Sequence, residues 1–273
     1  MILLHLAVAA LYAAVAWALV PPPPAAAGSP SAPSSGPAAW AGLLLPAAIA
    51  LHAWAVWHDI AAPDGLDISL VNALSAVAGL VAAVAWGSGL LRTLPVVGTV
   101  VLPVAAISAV LPAFFENPHR FPYAGEPWAA LHVAVALAAY ALFLVAALQA
   151  LVLMGLEKRL HRRLPDPGAA ALPPLLTLER FLFRLVGAGF LLLTATLASG
   201  MLFSEQLFGR PFVFNHKSVF SVLGWLTFGA LLWGRHRYGW RGRVALRWIL
   251  AGTAFVFLAY LGSKFVLEVL LGR

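Results

Sequence analysis

Long, continuous apolar stretches, about eight of them, run through this chain with only 10% charged residues between them. Each is close to the roughly 20 residues that an α-helix needs to cross ~30 Å of hydrocarbon. Lipid offers the backbone no hydrogen bonds, so a spanning segment must be a helix or a strand of a closed barrel. Barrel strands alternate apolar and polar residues, and these stretches do not. The fold class is therefore all-α, a polytopic transmembrane helical bundle of about eight spans. Its 273 residues are expected to form a single membrane domain over 1–273.

The patterning places helices at about Ile2–Val20, Trp40–His58, Ile68–Trp86, Leu94–Phe115, Trp128–Leu156, Phe181–Phe203, Ser218–Trp233 and Val244–Leu271. Pro21–Pro24 and the Ala/Ser/Gly/Pro run to Pro37 read as a passive tether, so residues 1–37 are the first helix plus a linker. Met1–Val20 has no basic leader and no convincing cleavage site, and is expected to be a retained helix. Pro95, Pro103 and Pro112 punctuate the fourth helix and should bend it.

Charge placement gives an orientation. Of seventeen Lys and Arg, twelve fall on one side: Arg92, Lys158, Arg159, Arg162, Arg163, Arg180, Arg184, Arg235, Arg237, Arg241, Arg243 and Arg247. Cytoplasmic loops carry such an excess, so both termini are expected on the outer, periplasmic side of a bacterial inner membrane. The net charge of +7 is accounted for by these loops, and no nucleic-acid partner is expected. Cysteine is absent, which removes disulfides, thiolate metal sites and thiol redox chemistry. No paired carboxylates, Ser/His/Asp order or phosphate loop points to hydrolysis or phosphoryl transfer, and no inverted repeat points to a secondary transporter.

The histidines carry the chemistry that remains. His5, His52 and His132 are embedded in apolar surroundings, and His216 stands where the seventh helix begins on the outer side. His52 and His132 fall in the outer half of the membrane. Ionisable groups at that depth normally face the bundle interior and serve a site or a partner. Neutral imidazole is also a good axial ligand for haem iron. The structural alternative is a histidine that donates one hydrogen bond to a neighbouring carbonyl. Asn72, Ser75, Ser199 and Ser204 read as helix glue. Lys264 and Glu268, four residues apart, read as a local ion pair. Trp40, Trp57, Trp86, Trp128 and Trp233 read as interfacial anchors.

The stretch Leu178-Glu179-Arg180 through Gly187-Ala188-Gly189-Phe190, then Leu193-Thr194 and Ser199-Gly200, resembles the cytochrome c assembly family of CcsA/CcmC-type haem-handling membrane proteins. The likeness continues through Trp225-Leu226, Gly239-Trp240-Arg241-Gly242-Arg243 and Tyr260-Leu261-Gly262, with Leu131-His132-Val133 and Tyr140-Ala141 upstream. It covers residues 66–271, and the size and the Asn215-His216-Lys217 segment are most similar to the family's YpjD inner-membrane branch.

The resemblance implies binding of haem at the outer face and its delivery to apocytochrome c, by haem handling rather than conventional catalysis. It puts His132 on an axial-ligand histidine, with His52 or His216 left to supply the second imidazole. The family's tryptophan-rich loop corresponds to Phe203–Ser218, which holds Phe208, Phe212 and Phe214 and no Trp. The family's second histidine would follow Tyr260-Leu261-Gly262, where this chain has Lys264 and Glu268. Phe212 and Phe214 can still stack on a porphyrin, and Arg210 or Lys217 can pair with its propionates. The competing expectation is a haem-free accessory or scaffold protein that keeps the fold and has lost the haem loop.

Overall fold

The computed structural model describes residues 1–19, 39–62, 65–115, 120–121, 127–161, 174–202, 204 and 215–266. The linker after the first helix, His119, Glu268 and the segment carrying Phe208, Arg210, Phe212 and Phe214 lie outside the described residues. Nine α-helices are described, α1 (Ile2–Ala18), α2 (Ala39–Ile60), α3 (Leu70–Gly87), a single turn α4 (Leu90–Thr93), α5 (Pro95–Phe114), α6 (Pro127–His161), α7 (Leu175–Leu202), α8 (His216–Tyr238) and α9 (Gly242–Phe257). A π-helical turn, Leu258–Gly262, prolongs α9. Among the described residues seven helices are long and apolar enough to cross a membrane, and α1, at 17 residues, is a shorter apolar helix. The chain is a multi-pass helical membrane protein.

Successive passes give the bundle two ends. Arg92, Arg180, Arg235 and Arg241 mark a basic end. At the opposite end stand His5, Asp59, Trp128 and His216. There the chain also forms a feature that no sequence pattern announced. Three very short antiparallel strands, β1 (Ala61–Ala62), β2 (Gly65–Asp67) and β3 (Arg120–Phe121), pair in that order. Asn72 ties this cap to the bundle, with its side-chain amide donating to the carbonyls of Asp59 and Asp67. Ser69 caps α3 by accepting from Asn72 N–H, and Asn215 caps α8 by accepting from Ser218 N–H. At the basic end Gly239 closes α8 in the left-handed conformation, φ 67°.

Packing divides the bundle into two halves. One half holds α1 against α2 and α5, with α3 against α2 and α5. The other holds α6 against α7 and α9, with α8 against α7 and α9. The α3–α6 contact joins them. With lipid outside, apolar surface gains little by hiding from solvent, so close backbone approach supplies the attraction. The second half shows how. The rings of Phe143 (α6) and Phe228 (α8) stack at 3.9 Å and 7°. Gly189 on α7 lies under the first ring and Gly252 on α9 under the second, where an added Cβ would come within 2.9 Å and 2.8 Å of them. Two glycines thus admit two aromatic rings to the centre of four helices. Trp57, Trp86, Trp128 and Trp233 are exposed, and the side chain of Trp40 lies outside the described residues.

Candidate functional site

Both embedded polar clusters lie in the bundle, one in each half. The first is built on His132, half-buried near the start of α6. Its Nδ1 lies 2.7 Å from the Ser199 hydroxyl on α7. The hydroxyl also lies within hydrogen-bond reach of Thr196 O, at 3.1 Å. Hydrogen bonding of one ring nitrogen to a neighbouring group is what orients a histidine for metal ligation through the other. Gly200 follows on the same helix, and a Cβ there would stand 3.4 Å from Cε1 of the ring. Ser199 holds one edge of the imidazole, and Gly200 leaves room beside the ring.

Around it the last two spans bring positive charge. Lys217, in the first turn of α8, is the cationic neighbour of His132. Its Nζ stands 5.1 Å from the centre of the Tyr260 ring, and Lys264 Nζ stands 5.9 Å from the same ring. Lys264 also donates to Ile68 O, which fastens the last helix to the start of α3. Tyr260 packs edge-on against Tyr140 at 5.7 Å, and Tyr140 donates its hydroxyl proton to Val256 O. Two ammonium groups meeting on one aromatic ring, beside an oriented imidazole, suit an anionic ligand with a metal at its centre. His216 is exposed at the first position of α8, next to Lys217.

The second cluster sits in the other half and binds its own imidazoles tightly. His52 is 1% exposed. Its Nδ1 meets the Tyr12 hydroxyl at 3.3 Å and its Nε2 meets the Ser75 hydroxyl at 3.0 Å. Gly79 presses on the ring, where a Cβ would come within 3.0 Å of Nδ1. His5, 2% exposed, donates from Nδ1 to Ala109 O at 2.8 Å, in the helical turn that Pro112 interrupts. Its Nε2 stands 3.5 Å from Asp59 Oδ1. These groups cross-link α1, α2, α3 and α5.

The structure thus gathers His132 and Lys217 at one place, with His216 alongside Lys217 in the chain, and sets His52 among α1, α2 and α3 instead. Arg210, Phe212 and Phe214 lie outside the described residues. Ser199, Tyr140 and Tyr260 were legible as parts of the motifs that carry the resemblance, Ser199 also as helix glue, but not as neighbours of one site, and Tyr12 gave no signal as a lone aromatic residue in an apolar run. Among the described residues no group of three or more His, Cys, Asp or Glu could hold a bare metal ion.

Comparison with known proteins adds the following. The family model described as "Cytochrome C assembly protein" matches residues 40–271. The inner membrane protein YpjD of Escherichia coli is 32% identical over 177 residues, covering 63% of this chain and 66% of that protein. An uncharacterised 28.8 kDa protein of Azospirillum brasilense is 35% identical over 243 residues, 87% of this chain and 83% of that protein. The cytochrome c biogenesis protein CcsA of Thermosynechococcus vestitus is 27% identical over 209 residues, 62% of this chain and 66% of that protein.

Proposed function

Because this chain belongs to the cytochrome c assembly protein family, we propose that it is an inner-membrane protein that holds haem, as cargo, at the outer end of its second half. His132 is the axial ligand through Nε2. The observation that carries this reading is the half-buried His132 held against the Ser199 hydroxyl at 2.7 Å, with Lys217 as its cationic neighbour. His216 supplies the opposite imidazole. Lys217, with Arg210, pairs with the propionates, and Phe212 and Phe214 stack on the porphyrin face. His52 has both ring nitrogens engaged in hydrogen bonds, which supports a structural part for it in place of the ligand role its depth suggested. Haem held there would pass to apocytochrome c on the outer side during cytochrome maturation.

The test is spectroscopic. Detergent-purified protein titrated with haem should develop a Soret band that shifts on dithionite reduction, and His132→Ala should abolish or displace it. An identical spectrum in His132→Ala overturns the reading. A haem-free accessory role is the competing one, and the engagement of His52 favours it. Protein that takes up no haem and purifies with a stoichiometric partner would decide for that role.

A further inference from the structure

A cavity of about 340 Å³ opens at the basic end, remote from His132, between the α3–α4 connection and the first turns of α7. That volume is at the small end of the range for specific ligand sites. Its cations are Arg180 and Arg184, four residues apart and so on one face of α7. Ser88 and Thr177 add hydroxyls, and Leu90 and Phe181 form an apolar floor. No carboxylate lines it among the described residues. Glu179, next in sequence, turns the other way, accepting from Arg235 at 3.3 Å and from Gly242 N–H at 3.0 Å. Arg92 lies in the same α4 turn as Leu90 and Thr93, outside the cavity lining.

Two like charges one helical turn apart repel each other, and a bridging anion turns that repulsion into attraction. The depth of the cavity identifies the anion. Trp86, two residues before Ser88, is exposed at the end of α3, and tryptophans at the ends of spans are enriched at headgroup level. The surplus of arginine at this end marks the cytoplasmic leaflet, where anionic lipids bind basic pockets between spans. A phosphate there, attached to acyl chains, would meet guanidinium groups above and an apolar floor below.

We propose that this cavity is a binding site for the phosphate headgroup of an anionic phospholipid of the cytoplasmic leaflet. Arg180 and Arg184 clamp the phosphate oxygens. Phe181 and Leu90 take the first methylenes of the chains. The bound lipid joins α3 and α4 to α7, which bridges the two halves of the bundle at the end opposite His132.

Native mass spectrometry of the full chain, released from detergent micelles with phosphatidylglycerol or phosphatidylcholine, reads this directly. Phosphatidylglycerol should be retained as a discrete adduct, and phosphatidylcholine should not. In Arg180→Gln/Arg184→Gln its affinity should fall roughly 30-fold, from about fivefold for each arginine at a membrane surface. Arg237→Gln/Arg243→Gln removes the same charge at the same end outside the cavity and should leave affinity unchanged. The lysine pair Arg180→Lys/Arg184→Lys keeps the charge and should bind at intermediate strength. Equal losses in both glutamine pairs would reduce the effect to general attraction and overturn the site. Displacement of the lipid by millimolar inorganic phosphate would assign the cavity to a soluble anion and overturn the lipid.

Discussion

Replacing Ser199 by alanine tests the haem reading at the point where the structure is most explicit. The substitution removes the hydroxyl that lies 2.7 Å from His132 Nδ1 and leaves every proposed ligand in place. The imidazole is then free to exchange tautomers and to turn about its χ2 axis. Loss of a group that hydrogen-bonds the far nitrogen of a ligating histidine typically weakens metal binding 10- to 100-fold, which is about 1.4–2.8 kcal/mol. The same hydrogen bond contributes far less to folding, because side-chain bonds between membrane helices average only about 0.6 kcal/mol. Affinity and stability should therefore separate. Haem titration followed at the Soret band should show the loss in Ser199→Ala, while the thermal midpoint in detergent moves by no more than a few degrees. Ser199→Thr keeps the hydroxyl and should recover most of the affinity. Binding in Ser199→Ala within about twofold of the unmodified protein would refute the argument that this hydroxyl orients the ligand. Equal weakness in the threonine and alanine variants would do the same.

Tyr12→Phe takes the partner from His52 Nδ1 and should lower stability by about 1–3 kcal/mol, with the haem spectrum unchanged; a shifted Soret band would return His52 to the site. Gly252→Ala drives a methyl against the Phe228 ring and should destabilise by about 1–3 kcal/mol in thermal unfolding, and an unchanged midpoint would show that the ring has room to retreat. His5→Ala and Asp59→Ala should show a coupling energy above about 0.5 kcal/mol in a double-mutant cycle, as expected for residues in one network. Strict additivity would mean that the 3.5 Å approach contributes nothing.

The spans were legible because lipid makes a simple demand, about 20 apolar residues without interruption, and the chain meets it repeatedly. Their relative placement was not. A helix that is apolar on every side carries no stripe that says which face meets a neighbour. The sequence could only put His52 and His132 in the same half of the membrane, since position along a span was all it could express. Only the packing of α2 on α1 and α3, and of α6 on α7 and α9, shows that they belong to different halves. The meeting of His5 with Asp59 was equally hidden, since 54 positions separate them, although both fall at the same end of adjacent passes. The basic loop motif Gly239-Trp240-Arg241-Gly242-Arg243 was visible as a string. Its structural reason is spatial. Trp240 packs over Gly234, which has no room for a Cβ, and Glu179 receives Gly242 N–H.

The π-helical turn at Leu258–Gly262 has a consequence for the described residues that follow it, Ser263 through Val266. Wider winding accommodates roughly one residue more than an α-turn does, and one residue corresponds to about 100° of azimuth around a helix. Excising a single position from 258–262 would restore ordinary winding and swing Ser263 through Val266 by that angle. Lys264 would then rotate away from both the Tyr260 ring and Ile68 O, and the neighbouring side chain would come round in its place. The turn works as a phase-setting gear. It determines which residue of the final helix is presented toward α3 and α8, independently of what that residue is.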